Sequence, residues 1–495
     1  MNLKKLLNLQ KIFMLKKLNK YKFLILTIFL IIPTFWNMVP KGIYSMQDFH
    51  LFRLFEFDKC IKAFQIPCRW APDAGLGFGE PLFNFYGQFS YVFGEMFHLA
   101  GGNFINSIKF SFILSLVGSA IAMYFLAKSL WKNEYSAILS SLLYLYAPYR
   151  AVDVWVRGAL PESFSFILFP LIILTVEKKN LFFFSLLTFI LVITHNLSFV
   201  MFLPLLLIWI IYRKWFKGFI GFAIAGLLSA FYTLPVIFES KFVNLGSTTT
   251  GYFDFRAHFI TIKQIFLDLS WGYGGSTWGS GDGLNLSVGL AQWIIPVVTL
   301  VLLFVAKKIK GNKEFLLLLV FGFIYLLLTH NKTAFMWEAL TFMKYIQFPW
   351  RFLGIAVFCF ALASGVLFNV IKNKFFIGLV FILLTVYSLL FTVNYFRPDI
   401  WYPVSDNYFL EGSEWDRQRT ASIGDFWPNF GHKIPDTPSD GTYINYFPGW
   451  VGADPKDGLI PSGNVEFKDT PIRKLGNIVS LISLLGIIIW KKKLT

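Results

Sequence analysis

The sequence predicts an all-α polytopic membrane protein. Three observations carry that expectation: an apolar composition, a series of apolar stretches of spanning length, and basic clusters between alternate stretches. Hydrophobic residues make up 56% of the 495-residue chain and charged residues 15%, against about 25% charged in soluble domains. Aromatics at 19%, with 59 phenylalanines, exclude a disordered chain, which lacks apolar surface to bury.

A helix needs about 20 apolar residues to cross a bilayer. Candidate stretches fall near 22–39, 104–127, 135–149, 160–176, 181–195, 197–212, 216–238, 285–306, 315–330, 349–371, 375–396 and 475–490. About twelve transmembrane helices are therefore expected. Basic clusters at Lys4 to Lys22, Lys128 and Lys132, Lys178 and Lys179, Arg213 to Lys217, Lys307 to Lys313, Lys372 and Lys374, and Lys491 to Lys493 separate alternate members. The positive-inside rule assigns them to the cytoplasm, with both termini inside. These segments hold 23 Lys/Arg against three acids, leaving 22 basic and 25 acidic residues elsewhere. The net charge of +17 is thus a threading signal. No basic soluble face is left for nucleic acid.

This divides the chain into a cytoplasmic basic N-terminus (1–21), a transmembrane domain (22–396), an extracytoplasmic segment (397–474), and a last helix with a basic tail (475–495). The first stretch lacks a small-residue cleavage site after it, so it reads as an uncleaved anchor. Outer loops at 40–103 and 239–284 are long, whereas the cytoplasmic turns are short. Turn residues recur through 397–474, which suggests short strands in a small β-rich outer segment. No Gly-Lys-Ser/Thr loop or dinucleotide fingerprint is present, which disfavours an ATP-driven pump or kinase. Three cysteines permit no disulfide framework. Cys60 and Cys68 share an outer loop and could pair, but two free thiols are expected.

Polar residues concentrate on the outer side, so the chemistry is expected there. Asp48 follows the first apolar stretch and suits a general base or a ligand for a divalent cation; as a helix cap it would be structural. His50 and Arg53 are its neighbours. Arg69 beside Trp70 suits a lipid phosphate or an aromatic belt. Arg150 and Arg157 could grip a phosphate through paired N–H donors, or pair internally with Asp153 and Glu162. His195-Asn196 tips a hairpin with only about 31 residues for two passages, so the tip is expected to be sunk in protein. Arg351 is a phosphate ligand or an interface anchor. Trp271, Tyr273 and Trp278, in a glycine-rich loop, could stack on a sugar.

An acid after the first span, then Arg69-Trp70, a Gly-x-Gly-x-Gly turn at Gly75 to Gly79, Pro81-Leu82-Phe83 and an amphipathic helix resemble the first external loop of GT-C-type membrane glycosyltransferases. More closely, the chain is similar to the bacterial and archaeal membrane proteins catalogued as 6-pyruvoyl-tetrahydropterin synthase-related. Tyr146 to Arg150, Arg157-Gly158 with Pro161-Glu162, Thr194 to Leu197, Trp271 to Ser276 and Gln347 to Leu353 carry that likeness. The pterin name does not transfer, because its chemistry needs a three-histidine zinc site and the six histidines here are scattered.

The resemblance implies a GT-C-like fold in a prokaryotic plasma membrane and a polyprenyl-phosphate-linked sugar donor. It implies hexosyl or pentosyl transfer with inversion to a cell-envelope glycan, lipid or protein, with Asp48 as base. A second acid usually follows the first; here His50 does, with Glu56 and Asp58 further on. A divalent cation (Mg2+ or Mn2+), if used, would be held through Asp48. The alternative is a transporter or flippase that binds a lipid-linked saccharide without reacting; it would need ionisable groups near mid-membrane.

Overall fold

The computed structural model describes residues 21–45, 48–277, 281–420 and 423–491, excluding the side chain of Asp48. The chain is mostly helical, with three two-stranded ladders. The central helix, Leu353–Ser364, buries every residue and packs against Glu134–Leu145, Leu290–Val305 and Lys313–Leu328. The helix Lys374–Tyr387 buries none, although it is strongly apolar. Its inner face, with Ile377, Phe381 and Leu384, rests against the core, and the exposed apolar face opposite, with Phe375, Ile382 and Leu383, suits hydrocarbon surroundings rather than water.

Five unbroken helices are long and apolar enough to cross a membrane among the described residues, or seven if each bent pair counts as one. The expected stretch 216–238 is such a pair: Lys217–Leu228 and Ala230–Phe242 meet at 69°. Lys313–Leu328 and Asn331–Ala339 meet at 88°. Tyr21–Thr34, Leu181–Thr194, Asn196–Tyr212 and Leu290–Val305 are apolar but shorter. The expected span 135–149 is a 12-residue helix, Glu134–Leu145, ended before Pro148 because the residue preceding a proline disfavours the α conformation.

Local signals set these boundaries. Asn103, Asn133, Asn180 and Thr470 cap helices by accepting backbone N–H bonds, which satisfies donors that a helix start leaves open. Lys132, Lys179, Lys214 and Lys307 leave helices in the left-handed conformation. Each belongs to an expected cytoplasmic cluster, and a lysine there also complements the helix C-terminus. Arg213 pairs with Glu177 at 2.7 Å and Glu314 at 2.8 Å, which brings three of these turns to one end of the bundle.

The long loops gather at the other end. Ile43–Tyr44 pairs antiparallel with Trp401–Tyr402, joining the first loop to the 397–474 segment. Within that segment Tyr443–Asn445 pairs with Leu459–Pro461, and Trp450–Val451 with Glu466–Phe467. Arg473 and Glu239 form a buried ion pair at 2.9 Å, and Asn84 donates to Glu239 at 2.8 Å. The first loop, the end of the bent pair and the last helix are thereby fastened together. The amphipathic helix expected from Pro81 is broken into Leu82–Phe85 and Phe89–Leu99.

Cys60 and Cys68 are joined as a disulfide, which corrects the expectation of two free thiols. The helix Asp48–Lys62 ends in a turn where Phe64 has φ 55°, and the returning chain places the two Cα atoms 5.8 Å apart. That separation suits a disulfide, and spacing in the sequence alone does not reveal it. Cys359 is free and buried. Denatured, unreduced protein should incorporate one iodoacetamide per chain, and reduced protein three. The Cys60→Ser/Cys68→Ser variant should lose about 2–3 kcal/mol of stability through the freed loop, read by chemical denaturation.

Candidate functional site

The site begins where the helix before Pro148 stops. Pro148–Ala151 makes one helical turn and Val152–Val156 continues as a π-turn, a local widening often found at functional positions. Gly158 takes φ 56°, so the chain reverses into the helix Leu160–Glu177 with Glu162 in its first turn.

Glu162 is held from three directions. It accepts from the Tyr149 hydroxyl at 2.6 Å and pairs with Arg157 at 2.9 Å. Arg351, on the turn Pro349–Phe352, approaches it at 3.7 Å. Asp153 lies 3.0 Å from both Arg150 and Arg157. Both internal pairings weighed from the sequence are therefore made. Arg150 is fully buried against the Phe166 ring. Arg157 and Arg351 also reach a cavity of about 540 Å³.

That cavity joins distant parts of the chain: Tyr86 and Gly87, Arg157 and Glu162, His195 and Asn196, Gln347 and Arg351, and Asp425 and Phe426. His195 caps the helix Asn196–Tyr212, its Nδ1 accepting from the Ser198 amide at 3.3 Å. An Nδ1 that accepts carries no proton, so in the neutral ring Nε2 is the N–H donor. The helices on either side have 14 and 17 residues, or about 21 and 26 Å, short of a hydrocarbon core of about 30 Å.

The first loop contributes a second set. Arg53 donates to the Tyr86 hydroxyl at 2.8 Å and lies over its ring. His50 is buried; its Nδ1 meets the Tyr91 hydroxyl at 2.7 Å and its Nε2 the Gly158 carbonyl. Burial, and then the Arg53 charge, hold this imidazole well below its usual range. It is a neutral packing group that joins the helix Asp48–Lys62 to the turn beside Arg157. Asp48 heads this helix; its side chain lies outside the described residues.

Other expected residues sit elsewhere. Arg69 is buried and donates to Asn84 at 3.3 Å and Asn477 at 3.1 Å, so it ties the loop to the last helix. Trp271 stacks on Tyr395, with ring centres 4.6 Å apart, and Tyr273 donates to the Arg397 carbonyl at 3.0 Å. Neither lines the cavity, and Trp278 lies outside the described residues. Tyr86, Gln347 and Asp425 line the cavity without having been singled out. Asp425 belongs to the turn-rich 397–474 segment, and nothing local in the sequence links it to Arg157.

Glu80 lies behind this wall. Both of its carboxylate oxygens are buried without a hydrogen-bond partner. Burial, and then the Asp425 charge, push its pKa up to about 8, with Arg53 opposing. Burial raises Asp425 as well, again opposed by Arg53.

Among the described residues no group of three His, Cys, Asp or Glu side chains could hold a metal ion. The donors on the cavity, two guanidiniums and an imidazole N–H, suit an anion, and Glu162 already has its oxygens engaged by Tyr149 and the arginines.

Because Glu80 is protonated in the folded chain below about pH 8 and ionised when unfolded above about pH 4.3, folding weakens as pH rises between these values. Glu80→Gln removes this proton uptake. Its melting temperature should exceed wild type increasingly from pH 5 to pH 8; a pH-independent difference would contradict the assignment. In comparisons with known proteins, no family model, no curated protein and no solved structure matches the chain.

Proposed function

We propose that the chain is a multi-pass membrane glycosyltransferase of the GT-C type, which moves a sugar from a polyprenyl-phosphate donor to an acceptor on the outer face. The observation that carries this reading is the convergence of Arg157, Arg351 and the His195 ring on one cavity. A transferred sugar leaves behind a phosphate monoester of the lipid. Fixed N–H donors that meet the charge as it develops lower the barrier, because they need no reorganisation.

In this reading Asp48 takes the proton from an acceptor hydroxyl. The new bond forms between that oxygen and the anomeric carbon, and the bond from the anomeric carbon to the phosphate oxygen breaks. Arg157 and Arg351 hold the departing phosphate, and His195 offers its Nε2–H. The resemblance of the loop sequence supports Asp48 as base, as does its place at the head of a helix whose next turn touches Tyr86 and Gly158. A cation held through Asp48 would assist the same proton removal; the residues on the cavity do not require it.

The orientation has two supports. Basic turns gather at one end, as the positive-inside rule asks of a cytoplasmic face. The Cys60–Cys68 bond lies in the first loop at the other end, and disulfides persist in oxidising compartments.

Asp48→Asn should abolish sugar transfer in reconstituted membranes, and Arg351→Gln should lower it about 100-fold or more, the usual effect of losing one transition-state donor. Undiminished transfer by folded Asp48→Asn would remove that residue from the mechanism. Movement of a lipid-linked sugar across vesicles without glycosidic bond formation would support the flippase alternative instead.

A further inference from the structure

The cavity bears a charge pattern that anion binding does not use. Arg157, Arg351 and His195 line it together with one carboxylate, Asp425, from the 397–474 segment. The other cavity carboxylate, Glu162, is spent on Tyr149 and the arginines. Asp425 is half-buried, and its side chain makes no hydrogen bond or ion pair among the described residues. A bare phosphate would be repelled by such a group.

The backbone around Asp425 is firmly seated. Phe426 stacks on Phe85 with rings 6° from parallel and centres 5.9 Å apart. Trp427 donates to the His432 carbonyl at 2.7 Å, and its own carbonyl accepts from the Asn244 amide at 3.1 Å. On the other side, the Gly424 carbonyl accepts from the Ser247 hydroxyl at 2.8 Å. Behind Asp425 lie Glu80 and Arg53, and the Arg53 charge opposes the rise that burial gives the Asp425 carboxyl. The result is a carboxyl group held in place on the cavity wall, with acceptor lone pairs available to the cavity.

We propose that Asp425 is a sugar-recognition residue, which accepts hydrogen bonds from hydroxyls of a glycosyl group whose phosphate is held by Arg157, Arg351 and His195. This rests on the glycosyltransferase reading and narrows it. The cavity takes a phosphoglycosyl group rather than a bare phosphate, and the 397–474 segment supplies part of the specificity. A carboxylate suits this task because sugars present donors that a charged acceptor binds about twice as strongly as a neutral one does.

Binding by the purified full-length protein tests the proposal without turnover. The probes are inorganic phosphate and the 1-phosphates of glucose, galactose and mannose, measured by calorimetry. Wild type should bind at least one hexose 1-phosphate about tenfold more tightly than inorganic phosphate, as expected for a hydrogen bond to a charged group. Asp425→Asn should lose that preference and bind inorganic phosphate as tightly or more tightly, since a negative charge beside the anion is gone. Arg351→Gln should weaken both classes of probe.

The opposite sign for the two probes separates recognition from misfolding. Equal binding of all probes by wild type, or a preference retained by Asp425→Asn, would overturn the inference and leave the anion site standing. Loss of inorganic phosphate binding in Asp425→Asn and in a second variant, Asp425→Ser, would also overturn it by making the role structural. Wild type that binds no probe would remove both this inference and the anion site beneath it.

Discussion

The ion pairing of Glu162 is the constraint on which the loop end of the bundle depends. Its carboxylate is almost fully buried and is met by Tyr149, Arg157 and Arg351. A buried charge is tolerable only when paired and hydrogen-bonded, and removing one partner from such a set typically costs about 3–5 kcal/mol. Glu162 therefore fixes the turn after Pro148 relative to the turn at Pro349, two segments far apart in the chain. The neighbouring Asp153 joins Arg150 to Arg157. Three arginines thus face two carboxylates, and the cluster keeps one positive charge in excess. Rigidity and attraction for an anion come from the same five side chains.

The 397–474 segment is held to this cluster by a different means. A short ladder fastens its start to the first loop, and its end is anchored where Arg473 meets Glu239. Between these points, aromatic residues do most of the packing: Trp70 lies against Trp450 and Phe467, and Phe85 against Phe426 and Phe447. Aromatic pairs add specific geometry to buried area. A segment with little regular structure is thereby presented in one defined position. Its strands are only two or three residues long, so side-chain contacts rather than ladder hydrogen bonds keep it in place.

Local patterns were legible in the sequence, and convergence was not. Apolar length located the helices Phe104–Trp131 and Leu160–Glu177 closely, because hydropathy and helix length are properties of one contiguous segment. Spacing offered the Arg150–Asp153 pair as one of two readings, since partners three apart lie on one helical turn, whereas the Arg157–Glu162 pair depends on the reversal at Gly158. The bends after Leu228 and Leu328 were hidden, because both halves of each pair are apolar and hydropathy carries no direction. The disulfide depended on a turn that apolar patterning does not encode. Asp425 was invisible as a site residue because its cavity neighbours are drawn from segments beginning at Phe85 and Arg157. Only packing of the whole chain brings them together.

Gly87 has a consequence for how the cavity could vary. A Cβ built there would lie 2.1 Å from the Thr194 carbonyl oxygen, so at this point the first loop and the hairpin tip meet backbone to backbone. There the gap between those walls is gauged by main-chain contact. A single methyl group at position 87 would act like a shim, prying two walls apart at that contact. Chamber width is thereby tied to a position that brings no side chain of its own to the cavity.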